Sequence, residues 1–433
     1  MLRRILLLLI ISSAVSGCAS IGPYTVELAD PPEYFVENNI NPLEDVNLEN
    51  NIIPVFYATN RMEWEEGESK YYFYKNKRDL SLNVGKAHVQ FGKDGTSWED
   101  LKNFITMEGK RPKYSLRVIG VDEYGALNFA RRRFDPKRGD SQHMDVDDRL
   151  KKEINEQLAK GDKKNITIFV HGVSVPFDDP VLVAAQLNYY GGFNGVPIGF
   201  SWPTQQRALS YLVDVEQTQF AARYLSFLLL FLSRETNVEQ INIIAHSAGS
   251  RVLSKALTDI SLLSGFESDR QENLKKYKIG NVVFAGGDVS RDVMGVNIEY
   301  GMIEVASKVI IYFSKYDKAL GLSNWLWKQG RIGDLDTSKH DMTDYGMDYL
   351  KSLDRLELVD ATGTPGSDKQ FGHVYFLTSR WVSSDLMLFM QTNFPPEKRG
   401  LVRDDSGLFW EFPKNYETRS TYRKVKDRLK NKL

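Results

Sequence analysis

The sequence predicts an α/β protein, a mostly parallel, doubly wound sheet with helices on both faces. Two observations predict it. Short apolar, β-branched runs recur through the chain and end at a small residue or an acid, and stretches of helical periodicity separate them. From Ile52 to about Leu158 the pattern is mixed. Residues 53–58 are strand-like, and 116–121 with 127–130 suggest a hairpin around Tyr124-Gly125, so this part supplies the first strands and some cover. Residues 165–173 form a buried-strand pattern ending in His171-Gly172, and 196–203 read as the next strand. A long helix is predicted from about Gln205 to Arg234. Its apolar run, Leu225 to Leu232, is short for a membrane span and reads as a helix buried against the sheet. Strands over 281–288 and 308–317 each end near an acid, and a weaker one, Leu356 to Ala361, precedes Gly372-His373.

The most informative stretch is Ile241-Asn242-Ile243-Ile244-Ala245-His246-Ser247-Ala248-Gly249-Ser250. A β-branched run meets a serine flanked by small residues, and a helical pattern follows. That is the layout of a nucleophile elbow, in which a tight strand-to-helix turn carries an exposed hydroxyl. The usual pattern is G-x-S-x-G; here Ala245 replaces the first glycine and Gly249 keeps the second. An ordinary turn or helix cap also places serine among small residues, so the reading depends on what else the chain supplies. The order Ser247, then Asp317 or Asp288, then His373 is the triad order of the α/β-hydrolase fold. In that fold the residue after the nucleophile and the loop after an earlier strand lend backbone N–H groups to an oxyanion hole, which points to Ala248 and Val173.

Seven segments, taken in order, resemble a family of uncharacterised bacterial α/β-hydrolases of the esterase/lipase superfamily. They are Val55-Phe56-Tyr57-Ala58-Thr59-Asn60-Arg61, Phe169-Val170-His171-Gly172, Phe200-Ser201-Trp202-Pro203, Tyr211-Leu212-Val213-Asp214, Ala245-His246-Ser247-Ala248-Gly249, Tyr316-Asp317-Lys318-Ala319-Leu320 and Gly372-His373-Val374-Tyr375-Phe376. The similarity runs from about Ile52 to about Thr392. Where the family usually has methionine and asparagine, this chain has Ala248 and Ser250; neither position carries proton transfer, so the departures bear on substrate shape. The resemblance implies hydrolase chemistry without naming a substrate.

Arg3-Arg4, an apolar core from Ile5 to Ile11, and Val15-Ser16-Gly17-Cys18 make a secretory signal whose end resembles the bacterial lipobox. Cys18 is the only cysteine, so it has no intramolecular disulfide partner, and its place at the cut site points to lipidation. The alternative is a plain signal-peptidase site with an incidental cysteine. Ala19, rather than aspartate, after the cysteine points to the outer membrane. The expected organisation is a signal peptide over 1–17, a lipidated cysteine and tether over 18–51, a hydrolase domain over 52–395 (first strands and cover to 160, catalytic core from 161), and a basic extension over 396–433. With 56 basic and 57 acidic residues the chain carries no electrostatic footprint for nucleic acid. The extension, with Arg419, Arg423 and Lys424 among its cations, reads as a solvated helix, with contact to anionic lipid as the alternative. No metal motif, nucleotide loop or other cofactor signature is present in the sequence.

Ser247 needs a base, and six histidines compete. His171 lies in the His-Gly loop and is read as bracing it. His246 adjoins Ser247 on a strand, so its side chain points away from the serine. His88 and His143 read as surface residues, and His340 as a helix cap. His373 follows the last predicted core strand, where this fold mounts its base. Asp317 is the preferred acid and Asp288 the alternative, the latter otherwise capping the next helix. The expected activity is carboxylic ester hydrolysis through an acyl-enzyme. Thioesterase, lipase and amidase variants stay open, as does a binding or scaffold lipoprotein that kept the fold without turnover.

Overall fold

A computed structural model describes residues 23–64, 73–127, 141–205, 210–265, 269–327, 329–335, 344–392 and 394–416. Cys18 and the signal segment, residues 128–130 of the expected hairpin, His340, the His143 side chain and the basic run from Arg419 lie outside the described residues.

The strands are β1 (Val26–Glu27), β2 (Ile52–Glu63), β3 (Tyr74–Phe91), β4 (Ser115–Ala126), β5 (Asn165–Val170), β6 (Val196–Ser201), β7 (Gln240–His246), β8 (Ile279–Ala285), β9 (Ala306–Phe313), β10 (Leu356–Asp360), β11 (Val402–Arg403) and β12 (Trp410–Glu411). They form one sheet in the order β1-β4-β3-β2-β6-β5-β7-β8-β9-β10-β12-β11. From β2 through β12 every neighbouring pair is parallel, and antiparallel pairs close both ends. The central runs are mostly apolar on both faces because helices cover both.

Side chains alternate between the faces. Ile168 and Ile243 meet Leu225 and Leu229 of helix Tyr211–Glu235 and Val252 of helix Gly249–Ser264. Phe169 and Ile244 face the other way, toward Val181 and Leu182 of helix Asp178–Tyr190 and Leu386 and Phe389 of helix Arg380–Thr392. Each such fully buried aliphatic or aromatic side chain contributes about 1.5–3 kcal/mol of transfer free energy. No helix among the described residues is long and apolar enough to cross a membrane.

Three expectations are corrected at the periphery. The stretch expected to be a tether packs from Pro23 onward: Tyr34, Phe35 and Leu43 are buried, and Tyr34 N donates to Ser384 Oγ at 3.2 Å. The expected turn at Tyr124-Gly125 lies inside β4, where Gly125 at φ +114° sits at a register shift against β3; the glycine makes a bulge, not a hairpin. The hydrolase domain also continues past residue 395. Trp410 pairs with Val359, and buried Arg399 binds Asp385 (2.8 Å) and Glu357 (2.7 Å).

Candidate active site

Parallel strands deliver their carboxyl ends to one edge, and the candidate residues collect there. β7 ends at His246, and Ser247 follows at φ +53°. A left-handed serine is strained, and the surroundings hold it. Ser247 N donates to Ala285 O (3.1 Å), and Ser247 O accepts from Asp288 N and Ser250 N (both 3.0 Å). The small neighbours are required by space. A Cβ on Gly249 would lie 2.5 Å from the carbonyl oxygens of Val170 and His171, and one on Gly172 would lie 2.8 Å from Ser247 Cβ. Ala245, in place of the pattern's first glycine, is fully buried in β7 without disturbing its pairing to β5 and β8.

After β9, Asp317 presents Oδ2 to Nδ1 of His373 at 2.7 Å, while its Oδ1 accepts from Leu320 N at 3.0 Å. The acid side chain is fully buried and the imidazole is 15% exposed. With Nδ1 on the carboxylate, Nε2 is the nitrogen left for a serine hydroxyl. Gly286, at φ +55°, makes room for this pair: a Cβ there would sit 3.3 Å from Asp317 Oδ2 and 3.4 Å from His373 Nδ1.

Asp288 is engaged elsewhere. It accepts from Tyr211 (2.5 Å) and Ser323 (2.7 Å) and lies 3.4 Å from Arg251 and 3.3 Å from Arg331. Nor does it cap the following helix; Ser290 does, accepting from Val293 N.

His171 and Arg61 shape the loop that carries Val173. Trp202 N donates to His171 Nε2 (3.0 Å), so the proton sits on Nδ1, which donates to Gly172 O (2.6 Å). The ring stacks on Trp202 with centroids 5.2 Å apart. Burial, then the charge of Arg61, holds the imidazole well below its ordinary pKa and therefore neutral. Fully buried Arg61 donates to Ser201 Oγ (2.9 Å), Asn76 Oδ1 (2.6 Å) and Val175 O (2.9 Å), tying the ends of β2 and β6 to that loop. Burial pulls the guanidinium down to about 9, still cationic at neutral pH. Among the described residues, no acceptor takes the N–H of Val173 or Ala248.

His246 points away from Ser247, as strand alternation requires, and donates from Nε2 to the carbonyl of His373 at 3.0 Å. Its ring lies 4.6 Å from that of His373 and 5.0 Å from that of Phe376. Burial, then the neighbouring His373, lowers it to about 3. The sequence reading gave no role to Arg61, His246 or Gly286. The one available signal was the Gly286-Gly287 pair closing β8, where a turn needs room. His88 lies on the surface as expected, against Asp122 at 3.0 Å.

Among curated proteins none matches the sequence. Among solved structures, esterase B from Lactobacillus Rhamnosis (HN001) is similar at 11% identity over 38% of this chain, with a TM-score of 0.22. The matched part spans 60% of that esterase's length, and a likeness this slight carries no argument. Residues 146–389, more than half of the chain and including Ser247, Asp317 and His373, match the family described as "Alpha/beta hydrolase of unknown function (DUF900)". With its mostly parallel sheet and its serine at a strained strand-to-helix turn, the chain belongs to that family of α/β hydrolases.

Proposed function

We propose that this hydrolase cleaves carboxylic esters through a serine acyl-enzyme. The observation that carries the reading is the 2.7 Å contact of His373 Nδ1 with Asp317 Oδ2 at the strand edge that holds Ser247 on its left-handed turn. In this mechanism His373 Nε2 takes the Ser247 proton as Oγ attacks the ester carbonyl, then returns it to the leaving alcohol. Asp317 keeps the proton on Nδ1 and stabilises the imidazolium. The N–H groups of Val173 and Ala248 receive the developing oxyanion. A water activated by the same imidazole then frees the acid and restores Ser247. Strain held at Ser247, at φ +53°, favours turnover over a binding scaffold, which has no use for a strained serine at the strand edge.

Cys18, by its lipobox-like setting, is proposed as the site of acylation, anchoring the enzyme to the bacterial envelope, at the outer membrane. A single acyl chain holds a protein only marginally, so stable anchoring takes more than one. The hydrolase reading is tested on full-length protein in detergent, with a chain-length series of p-nitrophenyl esters and matched thioesters. Turnover above the Ser247→Ala rate is expected, and the preferred acyl length assigns the subclass. Rates equal to Ser247→Ala across the whole series would overturn the reading.

A further inference from the structure

The catalytic edge carries apolar side chains that the fold leaves in water. Phe371 is 59% exposed and Tyr316 58%, and they flank His373 and Asp317 in sequence. Leu212 and Val213, 54% and 49% exposed, open the helix that follows β6 at the same edge. Scattered exposed apolar residues are normal, but Phe371 is held out at a cost. Gln370 and Phe371 both take left-handed φ, +49° and +63°, ahead of Gly372 at +72°. Strain of this kind persists where function requires it. The loops bearing the two rings and the helix start beside Tyr316 also carry exposed Lys315, Lys318 and Lys369, against one exposed acid, Asp368. Lys315 Nζ lies 5.4 Å from the centre of the Tyr316 ring. Rings amid cations match a bilayer interface, where aromatic side chains sit at headgroup level and lysines meet anionic lipid.

The start of the described chain lies at this edge too. Tyr24 donates to Asp179 Oδ1 (2.8 Å) in the first turn of helix Asp178–Tyr190, directly after the loop that leaves β5. Ala29 N then donates to Gln186 Oε1 (2.9 Å), so the chain runs from the catalytic edge down that helix. This helix and the segment after His373 cover the same sheet face, where Phe169 and Phe376 stack with centroids 6.0 Å apart. Cys18 is five residues before Pro23, a reach of at most ~18 Å. A lipid on Cys18 would thus hold the catalytic edge, not the far side of the sheet, close to the membrane.

We infer that the rim formed by Tyr316, Phe371 and their neighbouring lysines docks on an anionic bilayer surface and presents the site to acyl esters of lipids in that bilayer. The substrate half rests on the ester-hydrolase reading; the docking half does not.

The test uses the full-length chain carrying Cys18→Ser, so that no acyl chain contributes, and sedimentation with vesicles of phosphatidylcholine alone or with one-fifth phosphatidylglycerol. Binding to the anionic vesicles, weakened by salt, is expected. Tyr316→Ser/Phe371→Ser and, separately, Lys315→Glu/Lys318→Glu/Lys369→Glu should each lower it at least ~10-fold, given about fivefold per lysine beside an anionic surface. Hydrolysis of a soluble short-chain ester should be unchanged, while hydrolysis of a fluorogenic phosphatidylglycerol in vesicles falls with binding. The charge variants leave the strained loop's own residues in place apart from Lys369, so they decide the matter should the ring variant fold poorly. Equal binding by the parent and both variants, equal binding to neutral vesicles, or no vesicle binding would overturn the docking face. Vesicle binding without hydrolysis of either ester would leave docking standing and sink the hydrolase reading alone.

Discussion

His246 Nε2 donates to the carbonyl oxygen of His373 at 3.0 Å, so the residue before the proposed nucleophile grips the backbone of the proposed base. Relative placement of Ser247 and His373 is thereby set by one bond rather than by two independent loops. His246→Phe should keep the ring packing on Phe376 and lose that bond. A lost hydrogen bond of about 1 kcal/mol corresponds to roughly a 5–10-fold lower kcat with KM little changed; steady-state kinetics check it, and His246→Gln, which retains an amide donor, should recover part of the rate.

The same residue makes a stability prediction with a definite sign. His246 stays neutral in the folded chain down to about pH 3, whereas in the unfolded chain it takes up a proton near pH 6.5. The unfolded state therefore binds more protons between those values, and this group's contribution is lost as pH falls through that window. Asp178, raised to about 7 by burial, acts in the opposite sense, so the readout is a difference. The loss of Tm from pH 6.5 to pH 4 should be smaller in His246→Phe than in the wild type. An identical loss would show that His246 titrates normally in the fold.

Asp317 and Asp288 separate by their partners. Asp317→Asn should lower kcat by orders of magnitude, ~10⁴ in the best-studied triad, because the imidazole is no longer held in the useful tautomer. Asp288→Asn leaves His373 and its acid in place but removes the carboxylate shared by Arg251 and Arg331. Breaking a buried pair costs about 3–5 kcal/mol, so its signature is a lower Tm with kcat of the folded enzyme little altered.

Arg61 is expected to govern the oxyanion loop through stability. Arg61→Met strands acceptors on Ser201, Asn76 and Val175, at a cost of about 3 kcal/mol. Arg61→Lys should recover little, since one ammonium does not reproduce the planar fork that reaches all three. Urea denaturation of the two variants checks both.

The central strands were legible because burial on both faces demands apolar runs rich in β-branched residues, and Ile166 to Val170, Ile241 to Ala245 and Val309 to Phe313 are mostly apolar. His373 was legible from its place after the last core strand; chain position and the Tyr316–Leu320 segment favoured Asp317 over Asp288 without deciding between them, because that choice depends on where each carboxylate points. β3 was not legible. Its first third, Tyr74-Lys75-Asn76-Lys77-Arg78-Asp79, is almost wholly polar and is a strand because β2 pairs with it. The helix Glu33–Asn38 spans six residues, too few for a period, and is held by distant contacts such as Tyr34 to Ser384. Arg61 could not be assigned because its three acceptors come from separate parts of the chain.

The serine mechanism is tested most directly by a fluorophosphonate probe, with the adduct located by peptide mass. The account predicts one adduct on the peptide holding Ser247, absent from Ser247→Ala and strongly slowed in His373→Ala. Wild-type labelling no better than Ser247→Ala, or an adduct on another serine, would contradict it.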